Sequence, residues 1–207
     1  PYMYDPERHH RRSIRLRHYD YSQPGLYYVT IVVQQRQCLF GAIVGARMAA
    51  NEAGKTVGDM WQRLPERFPS VELDQFIIMP NHLHGIIRIT DRVVGATLVV
   101  APGQQNGRAT AQGGHQAGGH KARPYLGDIV GAFKSLTTCA YVEGIKQRGW
   151  LPFHAGLWQR NYYEHVVRNE DELAHIRDYI RGNPLNWALD CENPASLSAQ
   201  AEEPWRQ

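Results

Sequence analysis

The sequence predicts an α+β sandwich, with helices covering one face of a mostly antiparallel sheet. Two observations predict it. Three runs, Leu26–Val33, Val71–Met79 and His82–Thr90, are rich in β-branched and aromatic residues or alternate at a period of two. Two later segments, 128–142 and 170–183, carry apolar residues at helical spacing instead. A length of 207 residues and 43% hydrophobic content suit one ordinary core with decorations.

The elements follow in order. Gly25 precedes Leu26-Tyr-Tyr-Val-Thr-Ile-Val-Val33, which reads as a central strand. Leu39–Ala50 is small and apolar, punctuated by Gly41 and Gly45, and reads as a β-hairpin. Asn51 is placed to cap a helix running to Phe68, with Val57, Met60, Trp61 and Leu64 on one face. Pro65 should end or kink it. Val71–Met79 is a second strand, Pro80-Asn81 a turn, and His82–Thr90 a third strand. From Ala101 to Ala122 the chain turns to Gly, Gln, Ala and His without periodicity, the pattern of a flexible loop. It contains His115 and His120, read as loop decoration.

Asp128–Val142 is an amphipathic helix, with Lys134 on its flank. Trp150–Trp158 reads as loop. Asn169 and Glu172 then form a near capping box. The helix it starts runs through Leu173, Ile176 and Ile180 until Pro184 stops it. The tail after Trp187 is acidic and is expected to pack loosely. The expected organisation is a basic arm over residues 1–24, a catalytic domain over 25–190 and a tail over 191–207.

Net charge is only +3, but it is uneven. His9-His-Arg-Arg-Ser-Ile-Arg-Leu-Arg-His18 forms an arm whose Arg11, Arg12, Arg15 and Arg17 suit phosphates. Cys38, Cys139 and Cys191 are odd in number and widely spaced, so they make neither a zinc pattern nor a disulfide framework. A reducing cytoplasm is the expected setting. No apolar run reaches the length of a membrane span.

The candidate chemistry centres on His82 and His84. Alternate residues on a strand share a face, so both imidazoles point one way while Leu83 enters the core. Two adjacent imidazoles suit a divalent metal. On the last helix His175, Tyr179 and Asn183 are four apart and form one line beside the apolar stripe. Asn183 can aim an amide oxygen at the same place, or serve as a helix C-cap. Two histidines and an amide oxygen suit Mg²⁺ or Mn²⁺, with positions left for water and a phosphate oxygen. Zinc fits less well, because no cysteine or carboxylate is obviously placed. Tyr179 is then a candidate nucleophile for covalent attack on phosphorus. The residues alone leave the bland alternatives open. The histidines can sit on a solvated strand face, and Tyr179 can be one packing tyrosine among eleven.

Several segments occur together in one order. They are Met79-Pro-Asn-His-Leu-His-Gly-Ile-Ile87, Phe133-Lys-Ser135, Trp158-Gln-Arg-Asn-Tyr-Tyr-Glu-His165 and Tyr179-Ile-Arg-Gly-Asn-Pro184, after an opening Tyr4-Asp-Pro-Glu-Arg-His-His-Arg-Arg-Ser-Ile-Arg-Leu16. This combination resembles the REP-associated tyrosine transposases, relatives of the single-tyrosine transposases of small insertion sequences. The resemblance implies a ferredoxin-like, RRM-like antiparallel sheet, the HUH endonuclease fold. It implies a metal on His82 and His84, and Tyr179 as the nucleophile. Insertion-sequence relatives carry a glutamine four residues after the tyrosine; Asn183, a shorter ligand, stands there. The implied substrate is single-stranded DNA beside hairpins or inverted repeats, cut and rejoined by a monomer or a homodimer.

Within that resemblance Trp158, Arg160, Tyr162 and Tyr163 form an aromatic and basic cluster suited to single-stranded bases. Lys134 and Arg160 are candidate phosphate contacts, and His165 a candidate positioning group. Two other functions share the expected fold. One is a non-catalytic module that binds single strands by stacking. The other is a metal-dependent phosphodiesterase that uses water.

Overall fold

The computed structural model describes residues 19–91 and 123–196. Most of the basic arm, with Arg11, Arg12, Arg15 and Arg17, lies outside the described residues, as do the 101–122 segment with His115 and His120, and residues 197–207.

The elements in chain order are β1 (Gly25–Val32), β2 (Gly41–Val44), β3 (Arg47–Ala50), α1 (Glu52–Gln62), α2 (Leu64–Arg67), β4 (Val71–Ile78), β5 (His82–Ile89), α3 (Leu126–Arg148), β6 (Tyr163–Val167) and α4 (Glu170–Gly182). Short 3₁₀ turns lie at Gln34–Arg36 and Trp187–Leu189. Four strands pair antiparallel in the order β4-β5-β1-β6, and β2 and β3 form a separate hairpin. The order is that of a ferredoxin-like sheet, with α1 and α3 as the two crossovers.

Alternation along β1 decides the layers. Tyr27, Val29 and Ile31 face one way and pack with Val57 and Trp61 of α1, Leu64 of α2, and Ile129, Val130 and Phe133 of α3. Tyr28 faces the other way, with Ile86 of β5 and Val167 of β6. That second face meets Leu173, Ile176 and Ile180 of α4. Helices α1, α2 and α3 therefore cover one face, and α4 lies against the other.

Local chemistry sets the boundaries. The Asn51 side chain accepts from Gly54 N, so α1 starts where the sequence places it. The chain leaves that helix at Arg63 and restarts at Leu64, with Pro65 in the first turn of α2. α3 runs further than the 128–142 stretch that its periodicity suggests. Gly144 lies inside it, where the Trp150 ring occupies the space a side chain would need. It closes at Gly149, whose φ of 69° suits the left-handed cap. Asn169 Oδ1 accepts from Glu172 N at 2.8 Å and starts α4.

One strand was not expected. β6 is Tyr-Glu-His-Val-Val, short and with its polar residues Glu164 and His165 adjacent, so it lacks the usual alternating strand signature. It pairs with β1 from Leu26 to Thr30 and completes the sheet.

Candidate metal centre and nucleic-acid interface

β5 and β1 run antiparallel with His84 opposite Thr30 and His82 opposite Val32. Both imidazoles project on the α4 side, while Leu83 enters the core, as the period of two requires. Gly85 follows because the Trp61 ring occupies the space a Cβ would need. The histidines are not on a solvated face. His82 is 0% and His84 1% exposed.

Their Nε2 atoms are 3.0 Å apart, with ring centroids at 4.4 Å. His82 Nδ1 lies 2.9 Å from Asn81 Oδ1. His84 Nδ1 lies 2.7 Å from the Tyr28 hydroxyl and 2.9 Å from the Thr30 hydroxyl. Metal-ligating histidines characteristically hydrogen-bond through the remote nitrogen in this way. Burial pushes His82 down to about 4, so the ring is neutral near pH 7. A neutral imidazole has a lone pair to give a metal.

α4 brings the third group. Its stripe of Leu173, Ile176 and Ile180 packs on Tyr28 and Ile86. Two links fix its pose. Arg177 donates to both Asp74 oxygens on β4, at 2.8 and 2.5 Å. Glu172 sits 2.6 Å from His165 on β6 and accepts from Arg168 N. Tyr179 is partly buried, with its ring centroid 5.2 Å from that of His84 and 6.4 Å from that of Tyr28. His175, on the same helix row, is exposed.

Asn183 follows the last turn of α4 and is 3% exposed. Its Nδ2 is 3.3 Å from His84 Nε2, and its Oδ1 is buried with no hydrogen-bond partner among the described residues. Turning the amide over presents that oxygen to the histidines.

The sequence reading missed Asp190. It expected no carboxylate at the site and a loose acidic tail. Instead Asp190 is 8% exposed, and its Oδ2 lies 3.7 Å from His82 Nε2. Its oxygen and the two histidine nitrogens lie within 4.8 Å of one another. Nearby contacts seat the segment. Arg36 pairs with Glu192 at 2.6 Å, Asn193 donates to Trp187 O, and the Trp187 ring lies 5.9 Å from the His82 ring. No local pattern distinguishes Asp190 from the other acids near it; only the packing of the 3₁₀ turn does.

His82, His84 and Asp190 could therefore bind a metal, with Asn183 Oδ1 as a further buried oxygen. The spacing is compatible. Two cis ligands each about 2.1 Å from one ion are about 3.0 Å apart, as the Nε2 pair is.

The structure separates the candidate DNA contacts. Trp158 is a correction: it is 8% exposed, packs on Phe40 and Phe133, and donates its Nε1 proton to Thr137. A buried core ring has no face for a base. Lys134 is a second correction. Its ammonium donates to the carbonyls of Gln159, Arg160 and Asn161 and lies over the Tyr162 ring. It pins the loop before β6 rather than reaching for phosphate, and burial pulls it down to about 8. His165 spends its Nε2 on Glu172. Tyr163 is half-buried beside Tyr28, and Tyr162 is half-buried against the larger core. Arg160 is exposed. Cys38 and Cys139 are exposed, Cys191 is half-buried, and none of the three forms a disulfide. Among the described residues no helix is long and apolar enough to cross a membrane.

No protein-family model matches the chain. An uncharacterized protein of Haemophilus influenzae is 38% identical over 188 residues, which is 88% of this chain and 92% of that protein. A second Haemophilus influenzae protein, named a putative REP-associated tyrosine transposase, is 45% identical over 31 residues, 15% of this chain and 18% of that one. Among solved structures, a REP-associated tyrosine transposase bound to a REP hairpin superposes with a TM-score of 0.50 at 17% identity, covering 84% of this chain and 73% of that one. At that identity the likeness establishes the fold.

Proposed function

This chain belongs to one family with the Haemophilus influenzae protein it matches along nearly its whole length, it resembles the REP-associated tyrosine transposases in fold and ordered motifs, and from that premise we propose that it is a metal-dependent endonuclease and strand transferase for single-stranded DNA. The observation that carries this reading is the approach of the Tyr179 ring to His84, centroid to centroid 5.2 Å, beside a buried pair of histidines. His82, His84, Asp190 and Asn183 would hold Mg²⁺ or Mn²⁺. When bound, that ion supplies electrostatic stabilisation of charge developing on a phosphate.

The residues do the rest. Tyr179 gives up its phenolic proton and its oxygen attacks the phosphorus of a phosphodiester. An O–P bond forms, the bond to the leaving strand breaks, and the departing oxygen takes a proton. One strand end is left on Tyr179 and the other carries a free hydroxyl. The link keeps the diester's energy, so a second strand end can reverse the step. α4 is held at Asp74 and His165, which keeps the Tyr179 ring beside His84. The proposed substrate is a single strand beside a hairpin or inverted repeat. Arg160, Tyr163 and the basic arm remain its proposed contacts, and Tyr162 and Tyr163 are rival nucleophiles.

The test is Tyr179→Phe. Labelled single-stranded DNA with Mn²⁺ should give a protein adduct that survives denaturant in the wild type and none in the variant. An adduct formed equally by the variant rules out this nucleophile. Cleaved DNA without any adduct points to the water-using phosphodiesterase.

A further inference from the structure

We infer that Asn81 is the positioning residue of the metal centre: its amide sets which nitrogen of His82 faces the ion. The inference rests on the metal reading above and goes beyond it, because Asn81 touches neither ion nor substrate.

The argument is one of donors and acceptors. Asn81 is fully buried. Its Nδ2 donates to Arg36 O at 2.9 Å and to Glu192 O at 2.7 Å. A carbonyl oxygen only accepts, so the atom facing both must be the NH₂ group, and both its hydrogens are used. The amide is thereby fixed, and Oδ1 must face His82 Nδ1, 2.9 Å away. An amide oxygen also only accepts, so Nδ1 carries the hydrogen. A neutral imidazole has one such hydrogen. His82 Nε2 is left with a lone pair, aimed at His84 Nε2 and Asp190.

His84 has no such constraint. Tyr28 and Thr30 offer hydroxyls, which donate or accept as required. His84 can hold its hydrogen on either nitrogen, and only His82 is set by geometry. With the hydrogen on Nε2, His82 would turn an N–H bond toward the site and exclude an ion.

The backbone supports this assignment. Gln35 and Arg36 have φ of 57° and 55°, a region that non-glycine residues seldom occupy. Such strain persists where surrounding structure over-determines it. Here it turns the Arg36 carbonyl onto Asn81, while the Arg36 guanidinium holds Glu192, which supplies the second carbonyl.

The experiment uses the full chain. Imidazole ¹⁵N spectra of the metal-free wild type report each tautomer, and His82→Ala identifies the His82 signals. The expected result is hydrogen on Nδ1 of His82. Hydrogen on Nε2 overturns the inference without any variant of Asn81. Mn²⁺ titration followed by electron paramagnetic resonance then compares wild type, His82→Ala, Asn81→Ala and Asn81→Asp. Asn81→Ala should bind about 10- to 100-fold more weakly, the usual loss for an outer partner of a metal ligand. Asn81→Asp keeps an acceptor for Nδ1 but sets its second oxygen against two carbonyl oxygens, so it should bind more tightly than Asn81→Ala and less tightly than wild type. Equal binding by wild type and His82→Ala overturns the metal reading and this inference with it. Tight binding that is lost in His82→Ala but kept in Asn81→Ala overturns the inference alone. If Asn81→Ala fails to fold, the wild-type spectrum decides.

Discussion

The Nε2 atoms of His82 and His84 face each other across 3.0 Å with both rings buried. When both rings carry their hydrogen on Nδ1, two lone pairs meet at that distance and a cation between them relieves the repulsion. Removing one ring removes the reason for an ion to sit there. His84→Ala should weaken Mn²⁺ binding by on the order of 100-fold or more, a larger loss than an outer partner causes. In thermal unfolding, Mn²⁺ should raise the midpoint of the wild type and leave that of His84→Ala unmoved.

Acid should destabilise the metal-free protein in a defined window. Burial holds the folded-state pKa of His82 down to about 4, whereas an unfolded chain charges the same ring near about 6.5. Below the upper value the unfolded chain binds more protons than the fold does, so stability is present above it and falls with pH. The loss runs its course near the lower value and is on the order of 3 kcal/mol. Urea unfolding at about pH 7 and about pH 4.5 measures it. His82→Gln should show a shallower fall.

Asn183 makes a graded test of the oxygen ligand. Its buried Oδ1 has no hydrogen-bond partner among the described residues, and an ion would give that oxygen a coordination partner. Asn183→Ala should lower Mn²⁺ affinity about tenfold. Asn183→Asp keeps an oxygen, adds charge, and should bind at least as tightly as wild type. Mn²⁺ titration of the three proteins reads the order directly.

Trp158 and Arg160 should separate cleanly. Trp158 fills the core between Phe40 and Phe133, so Trp158→Ala should cost about 3–5 kcal/mol in denaturant unfolding. Arg160 is exposed, and Arg160→Ala should leave stability within about 0.5 kcal/mol. Its effect should fall on single-strand binding, seen as a several-fold loss in fluorescence anisotropy that shrinks at high salt.

What could be read from the sequence was whatever a local period carries. His82 and His84 share a face because strands alternate, and the structure puts them side by side. Tyr179 could be placed on a helix because Asn169 caps it and Pro184 stops it, and the ring does arrive beside His84. Asp190 carries no such signal, because its position depends on a 3₁₀ turn folding back along the sheet. β6 hid because Glu164 and His165 stand side by side and break the period of two in a five-residue strand. Trp158 and Lys134 misled for a related reason. An aromatic beside basic residues looks the same whether it stacks on a base or fills a core, and only burial distinguishes the two. A lysine among loop carbonyls likewise looks free until the loop is folded around it.

The central claim is that the Tyr179 oxygen becomes bonded to DNA. Digesting the wild-type adduct with protease and nuclease, then sequencing the nucleotide-bearing peptide by mass spectrometry, tests it most directly. The account predicts the added phosphonucleotide on Tyr179, in the peptide that also holds Ile180. Modification of Tyr162 or Tyr163 instead, with Tyr179 unmodified, would contradict it.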